Sequence, residues 1–586
     1  MNRILLLIFA TLLLCPKTWA DDFETATDAV KQMGLGWNLG NTLDANNQQY
    51  HDPTQANYWG QQDVSSETCW GQFTTKTELF AMMKDAGFGA IRVPVTWYNH
   101  MDMDGNVDEA WMNRVSEVVD AIISQGLYCI INVHHDTGAD RDGFKSWIKA
   151  DPTNFASNEA RYKKLWKQIA EKFRNYDQHL LFEAYNEMLD TQNSWNYASF
   201  KSPGQYNATV ASQAYSAINS YAQSFVDVVR ATGGNNAQRN IIVNTYAGCA
   251  GYDAHGGTGT YYTHLLDPLK QMNKPTGESN HLIFQVHTYP NISNLTTAKT
   301  RIDQMISDLN AQLVSKGAPV IIGEWGTSNV DAGEGKTDYD IRREQMFQFV
   351  DYFIKKTKEN GIAMFYWMGL SDGIYRSEPA FNQADLAETL IKAYYGSSDN
   401  YKFPTHDSSK GTVAFEGEKT LEWGQGITVP ASMLKEVGKQ VEVELTYKLD
   451  FLSFEKKDDQ YDDIQFMYNK GGWQKIPSGL SMDGKAFEGA DFHPDEVYGI
   501  NSGDSKTSVL TFNDSAFELV ASNDLIIQGH GVIMTKVVVK AHETSGISNA
   551  LINKNSNDAI YNLNGQRISN PRKGIYIQNG KKYVMK

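Results

Sequence analysis

Eight short apolar runs, separated by amphipathic stretches between Met33 and Tyr395, constrain the fold of this chain more than any other feature. An apolar run bounded by glycine or polar residues is typical of a strand buried on both faces, and strands that alternate with helices form parallel sheets. Eight strands of this kind close a barrel. The predicted strands are Leu35–Leu39, Ala90–Val93, Tyr128–His134, Leu180–Tyr185, Ile241–Asn244, Leu282–His287, Val320–Gly323 and Ala363–Trp367. We therefore expect an α/β fold, a (β/α)8 TIM barrel.

The stretches between these runs predict the helices of the barrel, because their apolar residues recur at helical spacing. The weakest is Thr263–Met272, which Pro268 limits. The others are Thr77–Ala86, Glu109–Ser124, Ala160–Arg174, Ala214–Arg230, Thr297–Leu313, Arg342–Lys358 and Ala384–Ala393.

The pattern changes after the polar stretch Gly396–Ser409. From Gly411 to Ala541, runs of period two are separated by Gly, Asn and Asp turns, which predicts an antiparallel, all-β sandwich. The segments around Ile560–Arg567 and Lys573–Ile577 predict a short β tail. We expect the barrel at 21–400, the sandwich at 401–545 and the tail at 546–586.

The N-terminus and the charge indicate where the protein acts. Residues 1–20 predict a secretory signal peptide, because Arg3 precedes the apolar run Ile4–Leu14 and Ala20 stands at the cleavage point. That run is too short to span a bilayer. The net charge of -16 argues against nucleic acid or an anionic membrane as partner. We expect a secreted or cell-surface protein with no membrane span, whose partner is a neutral polysaccharide.

Two glutamates stand just beyond apolar runs, Glu187 after the fourth and Glu324 after the seventh. In a parallel barrel this end of the strands is the active-site face. Two carboxylates there can hydrolyse a glycosidic bond, because one protonates the leaving oxygen while the other attacks or activates water. The chain has no CxxC pair, zinc-ligand spacing or phosphate-binding loop, so we predict no cofactor and no metal.

A set of motifs in chain order along the barrel resembles glycoside hydrolase family 5. These motifs are Gly36–Asp44 (GWNLGNTLD), Ile91–Trp97 (IRVPVTW), Asn132–His135 (NVHH), Asn186–Glu187, Val286–Tyr289 (VHTY) and Gly323–Glu324. The first motif looks most like the branch that contains endoglucanases, xyloglucanases and licheninases. The chain departs from the family where Met188 follows Glu187, since the usual residue there is proline.

The resemblance implies a retaining mechanism in which Glu187 is the general acid and base and Glu324 the nucleophile, with their carboxyl groups about 5 to 5.5 Å apart. Arg92 near Glu324 would lower the pKa of that carboxyl group and keep it ionised. By the same resemblance the sugar-binding and positioning residues are Asn186 at the 2-hydroxyl, His287 and Tyr289 at the nucleophile, His134 and His135 at the glycone-side sugar, Asn41 and Asp44 further out, and Trp367 as the floor of the subsite.

Several residues have a second interpretation. Glu183 lies mid-strand and is predicted to be a structural carboxylate paired inside the barrel. His134 and His135 could suggest a metal site, but adjacent residues of a strand point to opposite faces and do not easily bind one ion. Arg92 could only brace the strands, and Trp367 could only pack the top of the barrel.

The predicted function is that of a secreted endo-β-1,4-glucanase with a retaining mechanism. The alternatives are a xyloglucanase or mixed-linkage β-glucanase, less favourably a mannanase, or a catalytically silent barrel that binds polysaccharide.

The sandwich and the tail have predicted roles of their own. The sandwich is like a carbohydrate-binding module if several of its aromatic rings share one exposed face, and otherwise those rings form its core. Trp473 is the ring predicted to be exposed, because it follows a Gly-Gly turn. The rings are Trp423, Tyr461, Phe466, Tyr468, Trp473, Phe492 and Tyr498. The tail resembles the C-terminal tails of secreted Bacteroidetes proteins, which serve in sorting or surface attachment through the secretion machinery.

Overall fold

Two compact units, Met1–His406 and Asp407–Lys586, make up the chain in a computed structural model. The structure describes residues 23–46, 59–140, 145–200, 206–251, 263–333, 336–406 and 411–541, and short strands between 560 and 585. The signal peptide predicted at 1–20 lies outside the described residues. Among the described helices, none combines the length and the apolar character needed to cross a bilayer.

The first unit is a closed barrel of eight parallel strands, in which each strand pairs with the next along the chain and β8 pairs with β1. This confirms the predicted TIM barrel. The strands are β1 (Leu35–Asn38), β2 (Ala90–Val93), β3 (Tyr128–Asn132), β4 (Leu180–Glu183), β5 (Ile241–Cys249), β6 (Leu282–Thr288), β7 (Val320–Trp325) and β8 (Ala363–Trp367).

Apolar side chains fill the barrel interior on one side of the strands and pack against the helices on the other. Ile130, Ile242 and Ile321 belong to the interior cluster, together with residues of the N-terminal helix Ala26–Met33. Both faces of every strand are therefore buried, which is why the strands appear in the sequence as continuous apolar runs.

The first unit contains, among the described residues, the helices α1 (Ala26–Met33), α2 (Thr77–Asp85), α3 (Glu109–Ile123), α4 (Pro152–Lys172), α5 (Ala208–Ala231), α6 (Asp267–Gln271), α7 (Leu295–Gln312), α8 (Asp338–Ile341), α9 (Arg343–Glu359), α10 (Ile374–Ser377) and α11 (Ala384–Tyr395). The predicted starts of α4 at Ala160 and α5 at Ala214 are wrong. The Asp151 side chain caps α4, with proline in the first turn, and the Asn207 side chain accepts hydrogen bonds from the first amides of α5.

Strands β3 and β4 end earlier than predicted, and this determines where the polar residues that follow them lie. β3 ends at Asn132 and β4 at Glu183, whereas the runs of apolar residues continue to His134 and Tyr185. His134 and Glu187 therefore lie on the loops that follow these strands, at the active-site end of the barrel.

The second unit contains antiparallel sheets. One has the order β10-β18-β12-β13, with β16 also on β12, and another the order β15-β14-β17-β11-β19-β9. Their strands are β9 (Thr412–Thr420), β10 (Ile427–Val429), β11 (Val441–Leu449), β12 (Asp463–Asn469), β13 (Trp473–Lys475), β14 (Leu480–Met482), β15 (Lys485–Phe487), β16 (Asp491–Phe492), β17 (Ser505–Phe512), β18 (Leu525–His530) and β19 (Val532–Ala541). The region also has helices that were not predicted, α12 (Ala431–Val437), α13 (Pro494–Tyr498) and α14 (Asp514–Asn523).

The C-terminal residues form a third sheet of this unit, in the order β21-β20-β22-β23. Its strands are β20 (Ile560–Tyr561), β21 (Arg567–Ile568), β22 (Gly574–Gln578) and β23 (Lys581–Met585). The C-terminal region is thus rich in β-structure, as predicted.

Candidate active site

A fully buried arginine, Arg92 at the end of β2, lies at the centre of the barrel mouth. Its Nε and Nη2 donate to the two carboxylate oxygens of Glu183 at 2.6 and 2.7 Å, and its Nη1 donates to Glu324 Oε1 at 2.7 Å. The same guanidinium donates to Asn186 Oδ1 at 2.8 Å and to Asn38 Oδ1 at 3.0 Å. One cation therefore connects side chains from β1, β4 and β7 and the loop after β4.

Glu183 has no exposed surface and accepts two further hydrogen bonds. Asn132 Nδ2 and Asn244 Nδ2 each donate to Glu183 Oε1 at 3.1 Å. A buried carboxylate is costly unless it is paired and hydrogen-bonded, and these donors from β3 and β5 supply both conditions together with Arg92. Glu183 thus fixes the orientation of the guanidinium that contacts Glu324.

Glu324, on β7, is surrounded by groups that favour its ionised form. Burial alone would raise the pKa of this carboxyl group, but the charges of His287 and Arg92 and the hydrogen bonds from Arg92 and Tyr289 lower it overall. Tyr289 Oη donates to Glu324 Oε2 at 2.8 Å, and His287 Nδ1 lies 3.6 Å from the same oxygen. The Glu324 carboxylate is thus fixed in position and its ionised form is favoured, as a nucleophile requires.

Glu187 follows β4, and its side chain remains 22% exposed at the mouth. His287 Nδ1 lies 2.9 Å from Glu187 Oε1. Burial alone would lower the pKa of His287, but the charges of Glu324 and Glu187 raise it overall. One oxygen of Glu187, one of Glu324 and a ring nitrogen of His287 all lie within 4.8 Å of one another. The carboxylates of Glu187 and Glu324 are therefore close enough for both to act on the same glycosidic bond.

Gln285 contacts this histidine, and Gly323 leaves room for the Gln285 side chain. Gln285 Nε2 lies 3.2 Å from His287 Nε2. A Cβ at Gly323 would come within 2.3 Å of the Gln285 amide group, so a larger residue here would displace the side chain that lies against His287. Packing against Gln285 therefore explains why glycine precedes Glu324 on β7, separately from the role of the Glu324 carboxylate.

His134 and Trp367 form one wall of the cleft. Their rings are nearly parallel, with an interplanar angle of 4° and centroids 5.8 Å apart. Burial lowers the pKa of His134 well below its ordinary value, and the charges of His135 and Arg92 act in the same direction. Asn186 Nδ2 lies 3.5 Å from His134 Nε2. A neutral imidazole, an amide and a flat indole thus line this wall of the cleft.

His135 also faces the mouth, beside the loop that follows β1. Its Nε2 lies 3.5 Å from Asp44 Oδ2, and its ring lies 5.3 Å from that of Trp70. The expectation that adjacent histidines point to opposite faces is wrong here, because β3 ends at Asn132 and strand alternation does not extend to them. Asn41 is on the same loop as Asp44, partly buried and with a left-handed φ of 57°.

Two groups of side chains at the mouth have donor atoms spaced closely enough for a metal ion, Asp44 with the two histidines, and Glu187 with His287 and Glu324. In the second group the two carboxylates raise the pKa of His287, so this imidazole holds a proton more readily than a free one. This second group is therefore better suited to moving protons.

A cavity of about 480 Å³ opens on the Glu187 side of the mouth. Trp195, which is 43% exposed, lines it together with His287 and the end of β5. Trp195 was not among the site residues predicted from the sequence, although a lone tryptophan in the polar run Thr191–Asn196, after a strand that ends at the active-site face, was a usable signal. Asn38 and Gln285 were not predicted either.

Known proteins resemble the barrel part of this chain. The family model described as cellulase (glycosyl hydrolase family 5) matches residues 49–372. Endoglucanase B of Neocallimastix patriciarum is 32% identical over 358 residues, which are 58% of this chain and 64% of that protein, so the match spans less than two thirds of the relative.

Among solved structures, a broad-specificity endoglucanase from an uncultured bacterium is 59% identical with a TM-score of 0.59, covering 64% of this chain and 97% of that one. A family 5 glycoside hydrolase of Prevotella bryantii, solved as a mutant with a xyloglucan tetradecasaccharide, is 39% identical with a TM-score of 0.53, covering 64% and 99%. With more than half of its length matched by the family model, this chain belongs to glycosyl hydrolase family 5.

Proposed function

We propose that the protein is an endo-β-1,4-glucanase that cleaves internal bonds of plant β-glucans with retention of anomeric configuration. The observation that carries this proposal is the approach of Glu187 and Glu324, which place oxygens within 4.8 Å of each other at the barrel mouth. Retaining enzymes hold their two carboxyl groups about 5 to 5.5 Å apart, whereas inverting enzymes leave room for a water molecule between them.

In the first step Glu324 attacks the anomeric carbon and the bond to the leaving oxygen breaks. Glu187 gives its proton to that oxygen, so the shortened chain departs as an alcohol and a glycosyl ester of Glu324 forms. In the second step Glu187 takes a proton from water, and the resulting hydroxyl displaces Glu324. The sugar keeps its configuration because the carbon is inverted twice.

The surrounding contacts support this division of roles. Arg92 and Tyr289 hold the Glu324 carboxylate from two sides, which limits its motion and keeps it ionised before the attack. Asn186, whose side-chain oxygen is fixed by Arg92, has its amide available to a sugar 2-hydroxyl, a contact that strengthens in the transition state.

The substrate class is inferred from the cleft and from the relatives. The parallel rings of His134 and Trp367 suit the flat face of a pyranose. One solved relative is described as a broad-specificity endoglucanase and another binds xyloglucan, so xyloglucan and mixed-linkage glucan are expected as further substrates. Mannan is less favoured.

The test is an assay of reducing ends on carboxymethylcellulose, xyloglucan, barley β-glucan and glucomannan, with the first product followed by NMR. We expect cleavage of the β-glucans and an initial β-anomer. An initial α-anomer would contradict the two-step mechanism. Binding to the polymers without any new reducing ends would instead support the silent barrel.

The location of the protein is a separate proposal. Arg3, the apolar run Ile4–Leu14 and Ala20 support export with cleavage after Ala20, and the short tail at 546–586 supports sorting to the cell surface. Expression in a bacterium of the Bacteroidetes followed by mass spectrometry of the surface fraction tests both. A chain that retains residues 1–20 in the cytoplasm would contradict the export signal, and unchanged surface attachment after removal of the tail would contradict its role.

A further inference from the structure

Exposed aromatic rings gather around His530 in the second unit. Trp423 is 44% exposed and Tyr461 is 40% exposed. The Trp423 ring lies 6.5 Å from His530 between centroids at an interplanar angle of 10°, and the Tyr461 ring lies 4.4 Å away at 29°. Phe454 packs on the same imidazole at 4.3 Å. We call Trp423, Tyr461 and His530 the aromatic surface.

Hydrogen bonds hold these rings in place. Gly424, next to Trp423, donates its backbone N–H to Gln528 Oε1 at 2.9 Å, and Gln528 Nε2 donates to Gln465 Oε1 at 2.8 Å. His530 Nε2 lies 2.8 Å from the backbone oxygen of Asp459. The turn that carries Trp423 is thereby tied to strands β18 and β12, so the ring is presented on a supported turn.

The chain path beside His530 also depends on a glycine. Gly531, between β18 and β19, has a left-handed φ of 63°. A Cβ at this position would come within 2.3 Å of the backbone oxygen of Tyr461 and within 2.7 Å of the Phe451 side chain. Glycine therefore allows the two loops to approach closely enough for Tyr461 to lie on His530.

The other aromatic residues of this unit are placed differently. Phe466 and Phe492 are buried in its core, and the hydroxyl of Tyr498 donates to Asp483. Trp473, which was predicted to be the exposed ring, is only partly exposed on the short strand β13. Among the rings named here in the described part of this unit, Trp423 and Tyr461 are the more exposed ones, and both lie beside His530, whereas Tyr468 is partly buried on β12.

We infer that the aromatic surface binds a β-glucan chain. The Trp423 indole and the Tyr461 phenol, inclined by 10° and 29° to the His530 ring, offer flat apolar surfaces that fit the C–H faces of pyranoses, and their hydroxyl and ring N–H groups can bond to sugar hydroxyls. Because the chain has a net charge of -16, a neutral polymer is favoured over an anionic one. The choice of β-glucan rests on the proposed function, since the same chain carries the barrel.

Affinity electrophoresis of the full chain in gels containing barley β-glucan or xyloglucan tests the inference. All variants carry Glu324→Gln, so that the polymer is not digested and the contribution of the cleft is the same in each. We expect Trp423→Ala and Tyr461→Ala each to weaken retention several-fold, and the double variant about tenfold. Trp423→Tyr should keep most of the retention.

Trp473→Ala is the matched control, because it removes a tryptophan from the same sheet without touching the aromatic surface. Retention equal to that of the parent in both Trp423→Ala and Tyr461→Ala would overturn the inference, as would an equal loss in Trp473→Ala. Hydrolysis by the chain with Glu324 intact, measured on a soluble aryl β-cellobioside, separates the two proposals. Normal hydrolysis with unchanged retention refutes only the aromatic surface, and absent hydrolysis with Trp423-dependent retention refutes only the enzymatic proposal.

Discussion

The barrel mouth and the aromatic surface present useful side chains in opposite ways. At the mouth Arg92 and Glu183 are completely buried, and each is held by several hydrogen bonds. On the second unit Trp423 and Tyr461 are each about two fifths exposed, and of the two only Tyr461 packs closely on His530, with ring centroids 4.4 Å apart. The barrel mouth stabilises charges out of contact with water, whereas the aromatic surface exposes apolar ring faces to water.

The difference follows from what each region does. A developing charge is stabilised best by fixed dipoles and ions in a site from which water is excluded, and such a site must satisfy every buried polar group. Stacking on a sugar needs only a ring in the right plane. We therefore expect substitutions at the mouth to change rate and pH dependence, and those at the aromatic surface to change binding alone.

The largest expected effect is that of Glu324→Gln, which should lower kcat/KM on an aryl β-cellobioside by at least about 1,000-fold, because the nucleophile is lost while the shape of the side chain is kept. Trp423→Ala should leave this value unchanged. Steady-state kinetics on the purified full chain measures both. A loss of less than about tenfold in Glu324→Gln would remove this residue from the nucleophile role.

The strand pattern made most of the barrel predictable. Because both faces of β3 and β4 are buried, their apolar runs marked them clearly, and the residues beyond them were placed at the correct end of the barrel. The strand ends were not predictable, since the pairing that stops β3 at Asn132 depends on its neighbours. This is why the relative orientation of His134 and His135 was misjudged.

The hydrogen-bond network could not be predicted from the sequence. Asn38 and Asn244 are ordinary asparagines in the chain, and the pairing of β1 with β2 and of β4 with β5 brings them to Arg92 and Glu183. Similarly, Trp473 follows a Gly-Gly turn and was predicted to be the exposed ring, whereas Trp423, which lies on a turn next to Gly424, is the more exposed of the two. Exposure of a single side chain depends on the packing of whole sheets, which no local pattern contains.

Glu183→Gln tests whether the buried network sets the chemistry. Removing this anion leaves the charge of Arg92 acting more strongly on Glu324, which lowers the pKa of Glu324 further. Since activity requires ionised Glu324, the acid limb of the kcat/KM profile should move to lower pH. We also expect a loss of about 10- to 100-fold in kcat, and a decrease of about 3 kcal/mol in the free energy of unfolding because a buried ion pair is broken.

Glu67→Gln is the matched control for this variant. Glu67 is buried and accepts two hydrogen bonds from Arg114 at 2.8 and 3.0 Å, the same bidentate geometry, between the turn Val64–Thr68 and α3. The Glu67→Gln variant should lower the stability of the protein without moving the acid limb of the kcat/KM profile. An unshifted limb in Glu183→Gln, or an equal shift in Glu67→Gln, would mean that Glu183 is only structural.

Tyr289→Phe should move the same limb in the opposite direction. The Tyr289 hydrogen bond to Glu324 lowers the pKa of that carboxyl group, so its removal raises the pKa, and activity is then lost at a higher pH as the solution is acidified. The expected decrease in kcat is about tenfold. A pH profile of kcat/KM on the aryl β-cellobioside measures the shift, and an acid limb that stays in place or moves down would contradict this account of the nucleophile.

The smallest effect is expected at Trp195, which is part of the barrel but resembles the aromatic surface in its exposure of 43%. If the exposure of a ring rather than its location decides its role, Trp195→Ala should raise KM for barley β-glucan several-fold, because the cavity beside Glu187 loses a ring on which a sugar can stack. Both limbs of the pH profile should stay unchanged. Trp195→Phe, which keeps a ring, is the control and should restore most of the affinity. A shift of the acid limb in Trp195→Ala would show that even an exposed ring at the mouth is coupled to the buried charges, and the contrast between the two regions would then follow location instead of exposure.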